Sequence, residues 1–341
     1  MTYGAKREGP RRAVIVGTIV LAILAATVTP SRSGPLRPFS FCFVCDFRWL
    51  ADGVLNVALF LPLGMAVGWR GKSFWRATLA GAVLSTAVEL LQTRIPGRDP
   101  ELRDIVANTI GAAFGAALVY RPRTWLLPTP RAFRWLSAVT AAAITGVIVA
   151  TGILLAPARP EGPLQVTRTE TDAIVTYQSQ ADAIGLDQPA YYVRRMFAGL
   201  DASTPVQVDV SRGKAGLCLH AAGVDRCRIG PTAGRGWSVL IYPAAGPHRW
   251  ADDVLDGVWT AFLFFPLGFW TTRRSAGFSI GAAVVLLGAL PSTVGLVATT
   301  FAEWLAASVG LAVGYVAAHV VRRRLEVVGT RDSRRTHPQE P

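Results

Sequence analysis

Asp52-Gly53-Val54-Leu55-Asn56-Val57-Ala58-Leu59-Phe60-Leu61-Pro62-Leu63-Gly64 recurs 204 residues later as Asp256-Gly257-Val258-Trp259-Thr260-Ala261-Phe262-Leu263-Phe264-Phe265-Pro266-Leu267-Gly268. Eight of the thirteen positions are identical, with no gap. Further out, Asp104-Ile105-Val106-Ala107-Asn108-Thr109-Ile110-Gly111 matches Glu303-Trp304-Leu305-Ala306-Ala307-Ser308-Val309-Gly310 more weakly, and Gly115 falls on Gly314. This pattern predicts two halves of four helices each in the same orientation, a parallel repeat of the kind found in some transporters.

The 341 residues are 51% hydrophobic and 17% charged, and the mean hydropathy is +0.35. Soluble chains carry about 25% charged residues, so disorder, a coiled coil and an ordinary cytosolic enzyme fit poorly. A spanning helix needs about 20 apolar residues. Eight runs qualify: 13–29, 50–69, 75–93, 104–120, 135–156, 251–270, 276–297 and 299–321. Trp49, Trp69, Trp75, Trp135, Trp250 and Trp270 stand at their ends, as in an interfacial aromatic belt. The first run reads as a signal peptide or an uncleaved helix. Ala26-Thr27-Val28 is a weak cleavage site, which favours the helix.

The net charge of +13 alone fits nucleic acid or a membrane surface, and its distribution decides for the membrane. With the N-terminus inside, the inner loops hold sixteen basic residues: Lys6, Arg7, Arg11, Arg12, Arg70, Lys72, Arg76, Arg121, Arg123, Arg131, Arg134, Arg273, Arg274 and Arg322 to Arg324. The outer loops hold six: Arg32, Arg37, Arg48, Arg94, Arg98 and Arg103. This bias predicts a bacterial inner-membrane protein with both termini cytoplasmic.

Residues 158–247 differ in kind. They alternate polar and apolar positions, with strands predicted at 164–168, 173–178, 190–197, 205–211, 215–220, 225–229 and 237–242. Such a pattern implies a small β-sandwich outside the membrane. Cys218 and Cys227 flank a hairpin turn at His220–Asp225, and an oxidising compartment allows a disulfide there. Cys42 and Cys45 form a Cys-x-x-Cys, read as a second disulfide or two buried thiols. With no second pair and no histidine near it, a zinc site is not expected. The domains are therefore 1–134 with four helices, 135–157 with the fifth, the insert 158–247, the second repeat 248–324 and a polar tail 325–341.

Polar residues stand where lipid should penalise them. Asp52 and Asn56 are i,i+4 on one helix, Glu89 and Gln92 are i,i+3 on the next, and Asp104 and Asn108 are i,i+4 on a third. Each pair lies on one helical face, with Arg98 in the loop between. One reading is structural: Asp52 and Asp104 act as N-terminal caps, Asn108 binds a neighbouring helix, and the Phe-x-Pro-Leu-Gly stretch breaks its helix. The other is a ligand or catalytic site, in which Glu89 or Asp104 is a general base and Arg98 neutralises an acid or holds a phosphate. The second half lacks counterparts of Glu89, Gln92 and Arg98, and has Thr260 for Asn56 and Ala307 for Asn108. Any site is therefore expected in the first half.

Asn56 to Gly64, Glu89-Leu90-Leu91-Gln92, Arg98 and Asp104 to Gly115 together resemble the VanZ-like family of bacterial membrane proteins, over roughly residues 20–120. The family is named for a teicoplanin-resistance protein. The resemblance implies a multi-pass membrane fold and recurring polar positions at Asn56, Glu89, Gln92, Arg98, Asp104 and Asn108. Some members carry a lectin-like sandwich outside, and the insert resembles that weakly. The fold expected is all-α and polytopic, with about eight transmembrane helices in two pseudo-repeated halves and an inserted all-β sandwich. The function expected is a non-enzymatic envelope protein that binds a lipid or cell-wall-precursor headgroup and influences glycopeptide susceptibility. The alternative is a membrane enzyme or transporter acting on a lipid-linked substrate. Membrane lipid and a precursor or glycan are the partners implied, without nucleic acid, cofactor or metal. HExxH, GxSxG and Walker sequences are absent, and His220, His248, His319 and His337 are scattered.

Overall fold

The computed structural model describes residues 8–30, 34–44, 46–69, 73–120, 125–159, 162–169, 171–201, 205–213, 216–241 and 249–336. Lys6, Arg7, Arg32, Cys45, Arg70, Lys72, Arg121, Arg123, His248, Trp250's side chain and His337 lie outside what is described. The chain divides into two compact units, Met1–Trp125 and Leu126–Pro341.

The first unit contains α1 (Glu8–Val28), α2 (Trp49–Gly68), α3 (Phe74–Gln92) and α4 (Leu102–Tyr120). Ser73 caps α3, its hydroxyl accepting from the Arg76 amide at 3.0 Å. Close packing of α2 on α4 depends on glycine. A Cβ on Gly64 would overlap the Ala112 carbonyl, one on Gly111 that of Val57, and one on Gly115 that of Leu61. Small residues let helix backbones approach this closely. The Phe-x-Pro-Leu-Gly stretch does not break α2, which runs unbroken through Pro62. Phe60 and Leu63 bury themselves against Ile23 of α1.

The second unit contains α5 (Pro130–Leu154), α6 (Arg249–Phe269), α7 (Ala276–Thr293) and α8 (Phe301–Thr336). Within α7, Val285–Ala289 forms a π-helical turn. The run predicted to reach 297 ends at Thr293, because Gly295 turns at φ +78° and the Val297 amide bonds to the Pro231 carbonyl at 2.8 Å. The stretch read as a polar tail from 325 remains helical as far as Thr336. Among the described residues, six helices are long and apolar enough to cross a membrane: α2, α3, α4, α5, α7 and α8. The apolar part of α1, Arg12–Val28, is shorter. Helix α6 carries Asp252, Asp253 and Asp256 near its start.

Between α5 and α6 lie two three-stranded antiparallel sheets. The first orders β1 (Leu164–Thr169), β2 (Asp172–Tyr177) and β3 (Ala190–Val193); the second orders β4 (Asp209–Gly213), β5 (Gly216–Ala221) and β6 (Val224–Ile229). Val175, Tyr191 and Phe197 from the first side share one buried cluster with Leu217 and Leu219 of the second. The β5–β6 turn is two residues, Ala222 at φ 50° and Gly223 at φ 75°, tighter than the six-residue span predicted. The seventh predicted strand, 237–242, is not one: Ala233–Val239 is a buried 3-10 segment. Its Gly234 amide bonds to the Glu303 carboxylate at 2.7 Å, which draws the chain out of an extended path.

Candidate functional site

Helices α2 and α4 begin, and α3 ends, at one end of the first unit, so their polar faces converge. The Asn56 side chain hydrogen-bonds Asp104. Asn108 Nδ2 donates to Ser85 Oγ at 2.9 Å. Glu89, only 2% exposed, accepts from the Glu101 amide at 3.0 Å. Loop 34–44 runs alongside, with the Ser40 amide on the Pro100 carbonyl and the Leu102 amide on the Ser40 carbonyl, both at 2.9 Å.

The cation at the centre is Arg103. Its guanidinium lies 2.7 Å from Glu101, 3.4 Å from Asp104 and 3.4 Å from Asp46, and its side chain is 9% exposed. Arg48 pairs with Asp52 one turn along α2 at 3.6 Å. The expectation for Arg98 is corrected here. It donates to the Thr29 carbonyl at 2.6 and 3.0 Å and to that of Ala26 at 3.3 Å, closing the C-terminus of α1. Gln92 does similar work, donating to the Thr27 carbonyl at 3.0 Å. Both therefore anchor α1, while Asp52, Asn56, Glu89, Asp104 and Asn108 come together.

Sequence reading missed Asp46, Ser85, Glu101 and Arg103. A signal was available: Glu101-Leu102-Arg103-Asp104 places three ionisable residues in four immediately before an apolar run. Five carboxylates (Asp46, Asp52, Glu89, Glu101, Asp104) surround two guanidiniums, leaving an acidic excess. Burial holds the Glu101 carboxyl above the usual carboxylate range, although Arg103 pulls the other way. Glu89, Glu101 and Arg103 are buried, whereas Asp46 and Asp52 keep 37% and 36% of their side chains exposed at the open edge. Chemically, the open edge offers hydrogen-bond acceptors and negative charge.

The second unit builds a comparable knot differently. Arg235, from the 3-10 segment, donates to Asp256 at 3.1 Å and Asp252 at 2.9 Å, and Trp237 Nε1 donates to Asp256 at 2.6 Å. Glu303, 2% exposed, accepts from the amides of Gly234 and Thr300, each at 2.7 Å.

In the insert, Cys218 and Cys227 form a disulfide. Cys42 is disulfide-bonded too, and Cys45 falls outside the described residues. Ser211 Oγ and Asp225 Oδ1 lie 3.2 Å and 2.8 Å from the two ring nitrogens of His220. This has the order of a hydrolase triad, but the Asp225 side chain is 72% exposed. A catalytic aspartate is buried to stabilise the imidazolium, so these three form a cross-strand polar ladder.

Residues 14–127 match the model of the VanZ/LLP1 family. No curated protein and no solved structure matches the chain. The matched stretch covers all of α2, α3 and α4 and includes every member of the acid and arginine cluster. The chain is thus a multi-pass membrane protein whose residues 14–127 are similar to the VanZ/LLP1 family.

Proposed function

We propose that the first unit holds the polar head of an envelope molecule, a membrane lipid or a lipid-linked cell-wall precursor, at the head of α4, and through this influences glycopeptide (teicoplanin) susceptibility. The observation that carries the reading is the carboxylate excess around Arg103, with Asp46 and Asp52 at its open edge. Such an edge suits an amine- or hydroxyl-bearing head and repels a bare phosphate. The bias of sixteen basic residues against six supports an orientation with this end outside a bacterial inner membrane, both termini cytoplasmic and residues 158–247 exported. There the insert, two small sheets packed on one core, would face glycan.

The repeat is part of the same proposal, with eight spans in two parallel halves. Supporting it, Gly268, Gly310 and Gly314 lie against the carbonyls of Leu311, Ala261 and Phe265, repeating the contacts of Gly64, Gly111 and Gly115 at the aligned positions. The second reading, an enzyme or transporter for a lipid-linked substrate, draws on Glu89, a buried acid whose hydrogen bond comes from an amide. It loses its phosphate ligand, because Arg98 is committed to α1.

The test is a deletion strain profiled for envelope lipids and wall precursors and assayed for teicoplanin susceptibility. Complementation with Asp46→Asn/Asp52→Asn should fail at normal membrane levels, without a lipid-linked species accumulating. Accumulation would favour the enzyme or transporter, and full complementation would remove the head-binding edge.

A further inference from the structure

The second unit holds a groove of about 550 Å³ between α6, α7 and α8. At the corresponding place the first unit is closed: a Cβ on Gly81 of α3 would meet the Ala112 Cβ of α4, and Ser85 bonds to Asn108. In the second unit Leu311 and Ala307 stand where the alignment places Ala112 and Asn108. The π-turn Val285–Ala289 re-aims α7, and Leu287 of that turn lines the groove. π-Turns within helices often mark functional sites.

The wall suits hydrocarbon. Three of its hydroxyls are already bonded: Thr271 to the Leu267 carbonyl at 2.7 Å and to Ser279 at 2.6 Å, and Ser308 to the Trp304 carbonyl at 2.9 Å. The rest is Ala283, Leu287, Leu311 and similar apolar surface. From Ala276 to Leu287 the wall rises roughly 17 Å, about half the ~30 Å hydrocarbon core of a bilayer. That is the depth of one leaflet. At one end stands Arg273, exposed, with Arg274 beside it in the chain.

We infer that this groove is a binding site for one acyl chain of an anionic phospholipid, with the lipid phosphate on Arg273. The cavity lies within the usual size range of small-molecule sites, about 300–1,000 Å³, too small for a further helix. Charge complementarity selects the lipid class, since a phosphate at the arginine end is the one polar group such a ligand must place. The site is separate from the acid cluster of the first unit and does not rest on the function proposed for it.

The experiment is native mass spectrometry of the full-length protein in detergent, offered equal amounts of phosphatidylglycerol and phosphatidylcholine. One phosphatidylglycerol per chain should be retained, favoured about fivefold for one basic contact. Arg273→Gln, a surface change, should level that preference without abolishing chain binding. Ala283→Phe, which fills the groove, should remove retention of both lipids, and Ala312→Phe does so from the opposite wall should the first variant fold poorly. Equal binding of the two lipids by the unaltered protein would overturn the inference. So would lipid retained by the folded groove-filled variants, or a second protein chain in place of lipid.

Discussion

Arg103→Ala should cost the first unit far more than Arg98→Ala, although a reading of the sequence ranks them the other way. The Arg103 side chain is 9% exposed and is shared by Glu101, Asp104 and Asp46. Deleting it leaves three carboxylates uncompensated beside the buried Glu89. Breaking a buried ion pair from one side costs about 3–5 kcal/mol. At roughly 3 °C per kcal/mol, the melting temperature falls by about 9–15 °C. Arg98 donates to the carbonyls of Ala26, in the last turn of α1, and of Thr29, just past its end, and is only half-buried. Its loss frays that helix end for about 1 kcal/mol, or some 3 °C. The assay is thermal unfolding of the detergent-purified protein, followed by the fraction remaining monodisperse. A double variant supplies the decisive control. Adding Glu101→Gln to Arg103→Ala removes one of the stranded charges, so the pair should be less damaged than the sum of the singles, by about 0.5–3 kcal/mol. Additive losses, or a larger fall for Arg98→Ala, would refute the assignment of Arg103 as the cation of the cluster.

Other outcomes follow from the same contacts. Glu89→Gln and Asp104→Asn should fail to complement the deletion at near-normal membrane levels; Glu303→Gln should lower the yield of folded protein, because two backbone amides depend on that carboxylate. Gly111→Ala and Gly310→Ala each push a methyl into a carbonyl of the facing helix, and overpacking of this kind costs about 1–3 kcal/mol, read as a lowered melting temperature. Tyr177 and Tyr191 are held above the ordinary tyrosine range, chiefly by burial. Above about pH 10 the unfolded chain ionises these phenols while the folded insert cannot, so stability should fall as pH rises past that point and be constant below it. A near-ultraviolet titration should find two tyrosines ionising only with unfolding, and free titration of all seven would contradict this.

The sequence by itself determined the membrane character, the four helices of each unit and the strand-rich insert. Those features follow from local composition: 20-residue apolar runs, period-two alternation and a repeated Asp-Gly…Pro-Leu-Gly stretch are all legible along the chain. It also placed Asp52 with Asn56, and Asp104 with Asn108, on single helical faces, since i,i+4 spacing fixes a face without reference to its neighbours. The Cys218–Cys227 pairing was legible for the same local reason, with one hairpin holding both. Tertiary structure alone decided which arginine serves the acids. Arg98 and Arg103 are five residues apart, and only the turn at Gly97, with φ +75°, and the docking of α1 send one to the Thr29 carbonyl and the other into the cluster. Likewise, nothing local marked 237–242 as other than a strand. The carboxylate of Glu303, 69 positions from Gly234, holds that segment in a 3-10 turn. Charges act through space, and a chain read in one dimension does not show which of them meet.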